Sequence, residues 1–218
     1  ASPWLTETWP ENVHIFTGSA VTSVAIPSLN CRVYGAGFQS MDCESILEGF
    51  RAEGEEAYRI ALFHGDPIQK NSPYNPVTAA QVKQSELHYL ALGHIHKGTD
   101  LQKVGEVFWA YPGCIRGRGF DETGYKGFLF GAMEKGNVAA KFIPVSNHRY
   151  EVVSVDVTGL TRMEAVEKLK KTAVPYGRET VLRMILTGEV PEGLLIQPEE
   201  ISRGAEYPAS ISCAAKDC

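Results

Sequence analysis

The sequence contains no run of 18 apolar residues, so it encodes no helix long enough to cross a bilayer. Its opening, "ASPWLTETWP", has neither a basic stretch nor an apolar core, and is no secretory signal. No two cysteines stand at CxxC spacing, and the five cysteines are an odd number. That usage points to a reducing cytoplasm rather than to a disulfide-stapled domain. Positive charge is in deficit, with 21 Lys and Arg against 26 Asp and Glu and a net charge of -5. Bulk electrostatics therefore do not draw the chain to a polyanion, which leaves that task to local basic patches. There is no internal repeat and no low-complexity tract.

What is present suits a packed α/β protein. With 218 residues, 44% of them hydrophobic, the chain has material for one large domain or two small ones. "VTSVAIPSL" (Val21 to Leu29) and "CRVYGAGF" (Cys31 to Phe38) are β-rich and separated by a short turn, the pattern of a hairpin. A helix is predicted over Cys43 to Arg51. There Cys43, Ile46, Leu47 and Phe50 recur at helical spacing, with Glu44, Glu48 and Arg51 outward. "YRIALFHGD" is a short apolar run that ends in His-Gly-Asp, as a buried strand meeting a loop does. A polar, proline-rich loop, "DPIQKNSPYNP", follows, and Thr78 is placed to cap a helix over Ala79 to Ser85. "LHYLAL" reads as a second buried strand; "VFWAYPG", "GFLFGAME" and "VAAKFIPV" read as further strands joined by Gly-containing turns.

Near Tyr150 the texture changes. "YEVVSVDVTGL" alternates as a strand does. Thr161 then opens a helix with Met163, Val166 and Leu169 inward and Lys168, Lys170 and Lys171 outward. "TVLRMILTGEV" is a strand and "PEEISRGAE" a short helix. This β-α-β-α-β order predicts a small α+β domain over residues 150–218, after a first domain over 1–149.

The chemistry concentrates in "LALGHIHKG", Leu90 to Gly98. A strand end gains nothing from neutral imidazoles unless their ring nitrogens find partners. In extended chain, residues i and i+2 project to the same side, so His94 and His96 can face one cleft. His64 also stands where a buried strand runs into a loop, and sites in α/β sheets form beyond the carboxyl ends of strands. Gly65 and Gly93 permit tight turns there. The three histidines are candidate ligands for a pair of metal ions, which dinuclear sites hold about 3.5–4 Å apart. His14, His88 and His148 read as structural or exposed.

"GHIH", preceded by "LFHGD" and followed by "YPGCIRGRGFDETGYKG", resembles the calcineurin-like metallophosphoesterases. The likeness is strongest to the bacterial DNA-repair exonuclease branch, the SbcD-type nuclease subunit. In that branch the histidine of the "HG" segment and both histidines of GHxH ligate metal. The resemblance therefore implies His64, His94 and His96 as ligands, with His64 and His94 on one ion and His96 on the other. It implies two divalent ions, usually manganese, that clamp a DNA phosphate and activate water. The loop after GHxH normally reads Tyr-Pro-Gly-Ser, then an arginine, then Glu and Lys-Gly. Here it is Tyr111, Pro112, Gly113, Cys114, Arg116, Glu122, Lys126 and Gly127. Cationic groups of this loop, Arg116, Arg118 and Lys126, are candidate DNA contacts. The resemblance further implies DNA and an SbcC-type repair ATPase as partners.

The departure from that family is large. Its first motifs, Asp-x-His, Gly-Asp-x-x-Asp and Gly-Asn-His-Asp, do not occur in this sequence. They supply the bridging aspartate, further ligands and the histidine that protonates the leaving group. The local carboxylates are Asp66 and Asp100, with Asp66 read as a loop cap. "SPWLTETWPENVHIF" resembles the segment after Gly-Asn-His-Asp, and the chain opens among aromatics with no polar lead-in. The expectation is therefore the second half of a two-sheet sandwich flanked by helices, followed by a capping domain that is itself incomplete. Such a portion of an exonuclease is expected to be inactive alone and to be held by the missing N-terminal segment or by self-association. Two other readings stand beside it: a non-catalytic module that docks on a repair ATPase, and a small-molecule phosphodiesterase.

Overall fold

The computed structural model describes residues 2–40, 42–67, 72–189, 196–201, 208 and 210–215. The chain falls into two compact units, Ala1–Gly113 with Phe128–Ile143 and Cys114–Gly127 with Pro144–Cys218. The fold is mixed α/β, with sheets of six, three and two strands and few helices among the described residues, consistent with a metallophosphoesterase-like architecture.

The first unit opens with a single helical turn, α1 (Pro3–Thr6), and continues through β1 (Thr22–Ile26), β2 (Cys31–Gly35), β3 (Tyr58–His64), α2 (Ala79–Gln84), β4 (Tyr89–Gly93), β5 (Gln102–Val104) and β6 (Val107–Ala110). Six strands form one sheet in the order β1-β2-β3-β4-β6-β5. The predicted hairpin is there: β1 and β2 are antiparallel, with Asn30 in the left-handed region (φ 48) turning the chain between them. β2, β3, β4 and β6 then run parallel, so β3 and β4 deliver their last residues to the same sheet edge. Thr78 caps α2 as expected, in a reciprocal capping box with Gln81.

One face of this sheet is closed. Ala61, Phe63, Leu90 and Leu92 are buried with Leu47 and Val82 in one core cluster. The other face is open at Leu62, which lies between two buried neighbours on β3 and is 47% exposed. One correction concerns Cys43 to Arg51, which is a chain of turns rather than a helix. Its backbone groups bond elsewhere. Cys43 N–H donates to the Pro73 carbonyl, Asn75 N–H donates to the Cys43 carbonyl, and Ile46 N–H donates to Asn75 Oδ1. Gly49, at φ 67, breaks the helical path as well. The apolar spacing still reported burial correctly: Leu47 is in the core, Ile46 and Phe50 pack against it, and Glu44, Glu48 and Arg51 are exposed.

His88, read as structural, closes the start of β4. Its Nδ1 accepts from the Arg59 N–H at 3.0 Å, which requires the lone pair of a neutral ring. Burial, and then Arg59, push its pKa below the ordinary value. The unfolded chain therefore takes up a proton near pH 6.5 that the folded chain resists, and stability falls as pH drops through about 6.5. We expect the thermal midpoint to fall between pH 7.5 and 5.5, and His88→Asn, whose amide oxygen accepts without titrating, to flatten part of that slope. An unchanged slope would assign the effect to other groups, such as His64.

A two-residue turn, Lys135 and Gly136 at φ 51 and 79, joins β7 (Gly127–Glu134) to β8 (Asn137–Pro144), a separate two-stranded sheet. Both central residues at positive φ match the hairpin turn that follows the natural strand twist.

The second unit contains β9 (Arg149–Asp156), α3 (Arg162–Ala173), β10 (Thr180–Thr187), α4 (Pro198–Ile201) and β11 (Ser210–Ala215). The predicted β-α-β-α-β order holds, and β10 pairs in parallel with both β9 and β11. Thr161 caps α3 in a box with Glu164. The buried face of α3 is Ala165, Leu169 and Ala173, one residue every four. Met163 was expected inward but is 79% exposed, because two alanines rather than the longer side chains set the packed face. Of the basic residues, Lys168 donates to the Asp156 carbonyl and Lys171 pairs with Glu167. The segments at 68–71 of the proline-rich loop and beyond Ile201 of the predicted last helix lie outside the described residues. Among the described residues no helix is long and apolar enough to cross a membrane.

Candidate metal-binding histidines

Parallel pairing places His64 opposite Gly93, and the Gly65 N–H bonds to the Gly93 carbonyl at 3.1 Å. His64 and His94 thus leave adjacent strands side by side. Their rings meet edge to face, with centroids 5.0 Å apart and His64 Nε2 3.1 Å from His94 Nδ1. Gly93 leaves room for this approach, since a Cβ there would stand in tight contact with the ring, 3.3 Å from His64 Nδ1. Aromatic rings flank both: Phe38 stands 5.3 Å from His64, edge to face, and Tyr74 lies tilted 5.1 Å from His94, centroid to centroid.

The charge state of His64 follows from its surroundings. Burial lowers its pKa first, and the neighbouring His94 and His96 lower it further. A neutral imidazole is the form that offers a lone pair to a metal ion. His96 is therefore within electrostatic reach of His64. It sits on an exposed loop that is pinned by reciprocal bonds between Thr99 and Tyr111, with Thr99 N–H donating to the Tyr111 carbonyl and Tyr111 N–H to Thr99 Oγ1. Gly113 (φ 77) passes so close to this loop that a Cβ would stand 2.7 Å from the Gly98 nitrogen.

The donors fit a cation. Metal–imidazole bonds of about 2.0–2.1 Å at tetrahedral angles put two ligand nitrogens about 3.3 Å apart, close to the 3.1 Å between His64 and His94. His94 also has φ 119, a left-handed conformation that L residues other than glycine rarely adopt. Such strain persists where surrounding structure enforces it, and it gathers at functional sites.

Sequence reading missed the residue that organises this corner. Asn75 is fully buried, and its Nδ2 donates to the His64 carbonyl at 2.8 Å while its Oδ1 accepts from Ile46 at 2.7 Å. Its own carbonyl accepts from the Asp66 N–H. Asn75 thereby ties the turns over Cys43 to Arg51 and its own loop to the end of β3. Inside "PYNPVT" no periodicity marks it; only the tolerance of Asn for positive φ, here 53, is a local signal. Tyr111 is the second such residue. Its hydroxyl donates to the Gly65 carbonyl, and burial, reinforced by Asp66, holds its pKa well above the usual value, so the donor stays protonated. Asp66 is buried beside this bond, and its backbone pairs across the loop with Asn75 and Val77. Asp100 is exposed.

In the second unit, Arg116 and Arg118 are exposed while Lys126 is buried. Arg118 lies against the buried Glu122, its N–H donating to Glu122 Oε2 at 2.8 Å and its guanidinium reaching Oε1 at 3.4 Å. Cys114 Sγ lies 3.8 Å from the same carboxylate.

No protein-family model matches the chain. A curated protein does resemble it: YhaO of Bacillus subtilis (strain 168), described as an uncharacterized metallophosphoesterase. The two are 30% identical over 210 residues, an alignment that takes in 90% of this chain and 50% of that protein. The chain thus spans about half the length of the curated relative it matches. This homology supports the calcineurin-like metallophosphoesterase superfamily, for which divalent metal ions are the implied cofactors.

Proposed function

We propose that this chain is the C-terminal portion of a metal-dependent phosphodiesterase, and specifically of a DNA-repair exonuclease. The observation that carries the reading is the His64–His94 pair, two imidazole nitrogens at ligand spacing on the ends of adjacent parallel strands. A metallophosphoesterase homologue aligned over 90% of the chain supports the same chemistry.

In this reading His64 and His94 hold one ion and His96 a second, with manganese as the physiological metal. Bound divalent ions polarise a phosphoryl oxygen and lower the pKa of water. The chain's own contribution is to keep His64 neutral, to fix both rings between Phe38 and Tyr74, and to set the His96 loop through Thr99 and Tyr111. Exposed Arg116 and Arg118 offer phosphate contacts that fix a strand without reading its sequence. A repair ATPase is the proposed partner and the cytoplasm the proposed compartment.

The sequence holds no Asp-x-His or Gly-Asn-His-Asp motif, and this favours a second reading for the isolated chain, a docking module without catalysis. One assay separates the two. The purified 218-residue chain, given manganese and linear DNA, is expected to release no nucleotides, and a polypeptide that also carries those motifs is expected to do so. Release by neither would leave the docking module; robust release by the chain alone would mean that the bridging aspartate is dispensable.

A further inference from the structure

The second unit carries an open cleft of about 400 Å³ lined by Ile115, Arg116, Val145, Ser146, Asn147 and His148. Its two walls come from segments far apart in sequence and are joined by backbone bonds. Val145 N–H donates to the Lys126 carbonyl at 3.0 Å, and Gly127 N–H to the Cys114 carbonyl at 3.3 Å. A tight turn shapes the second wall: Ser146 Oγ donates to the His148 carbonyl and accepts from its N–H. Both walls are therefore held in place without using the side chains of Arg116 or His148. Among the described residues neither of these side chains has a hydrogen-bond or ionic partner, and no carboxylate lines the cleft. In a protein of net charge -5, a cleft with a guanidinium, an imidazole and no acid is not the average surface. Beside the guanidinium and the imidazole, Ile115 is 59% and Val145 42% exposed.

We propose that this cleft is a phosphodiester subsite. The Arg116 guanidinium and the His148 imidazole grip one backbone phosphate of a nucleic-acid strand, and Ile115 and Val145 carry the adjoining sugar and base. A guanidinium presents parallel N–H donors that match two phosphate oxygens, and an imidazole has a ring N–H to donate in either neutral tautomer. The volume is that of a small-ligand site, which spans about 300–1,000 Å³, and it admits one nucleotide unit rather than a duplex. Such a subsite grips the backbone and one unpaired base, and so favours a single strand with no sequence preference. The inference rests on the phosphodiester reading above, in which Arg116 is already a phosphate contact, and adds His148, Ile115 and Val145 and the form of nucleic acid held.

Fluorescence anisotropy of a labelled oligothymidine, in EDTA so that no metal ion takes part, tests it. Arg116→Ala is expected to weaken binding more than about tenfold and His148→Ala about fivefold to tenfold, the losses of a charge-assisted and of a neutral hydrogen bond. The Arg116 variant should also make the log–log salt dependence shallower by about 0.7, one phosphate contact on a single strand. Lys135→Ala, which removes a charge from the β7–β8 turn, is expected to bind as the unmodified protein does. Thymidine monophosphate should displace the oligomer better than inorganic phosphate. Absent binding, or equal binding by the Arg116/His148 double variant, overturns the proposal. Competition by inorganic phosphate as strong as by the nucleotide overturns the role of Ile115 and Val145. Since the readout needs no turnover, absence of release by the polypeptide that carries the further motifs, with this binding intact, sinks the phosphodiesterase reading alone. Hydrolysis with unchanged affinity in both variants sinks the subsite alone.

Discussion

Replacing His94 by alanine is expected to lower metal-dependent phosphodiester hydrolysis by the intact protein about 100-fold or more. Disturbing the groups that merely orient a metal ligand already costs about 10–100-fold, and loss of the ligand itself should reach at least the upper end. The geometry gives the reason, since His64 and His94 present nitrogens 3.1 Å apart and one of the pair cannot define a site. His94 also sits at φ 119, which allows ligation to be separated from strain. Glycine is at ease there, so His94→Gly should be about 1 kcal/mol more stable than His94→Ala while losing the same activity. Exposed His14 supplies the comparison. Hydrolysis rates and calorimetric titration of manganese, on His94→Ala, His94→Gly and His14→Ala, decide the matter. Equal effects of His94 and His14 substitution would end the assignment of His94 as a ligand.

Asn75→Leu should cost the first unit about 3–5 kcal/mol. The substitution leaves the part-buried Ile46 N–H and His64 carbonyl without their present partners, at up to roughly 1–3 kcal/mol each. It also forces a branched side chain to φ 53, which Asn tolerates and leucine does not. Against a usual stability margin of about 5–15 kcal/mol this is a large share. Asn75→Gly keeps the backbone conformation and isolates the amide, and Asn75→Asp keeps the acceptor for Ile46 but sets a carboxyl against the His64 carbonyl. Thermal unfolding should therefore rank the loss as leucine above glycine, with the aspartate variant most sensitive to pH. Because the lost donor holds the His64 backbone, all three are expected to weaken manganese binding as well. A leucine variant within about 1 kcal/mol of the unmodified protein would show that water or a shifted loop replaces the amide.

These two residues mark the line between local and tertiary information. The short apolar runs mark β3 and β4, because a strand buried on one side needs such residues. Thr78 and Thr161 announced their helices because a cap is made within four residues. The parallel β-α-β-α-β order of the second unit was legible for the same reason: its segments are long, regular and punctuated. At Cys43 to Arg51 the periodicity told the truth about burial and misled about conformation. Helical spacing reports which side chains face a core. It does not report whether the backbone donors have a better partner 29 residues away, as Ile46 has in Asn75. Met163 failed in the same manner, outcompeted by alanines whose small size lets α3 approach its sheet.

The sequence by itself determined that His64, His94 and His96 stand at the ends of buried strands, since that is a matter of local apolar runs and glycines. Only the tertiary structure decided that His64 and His94, 30 positions apart, share one small volume. The cause is the parallel register that sets His64 against Gly93, together with the missing Cβ of that glycine and the aromatic rings of Phe38 and Tyr74. Register and packing are bonds between distant segments, and no local pattern encodes the distance between two nitrogens.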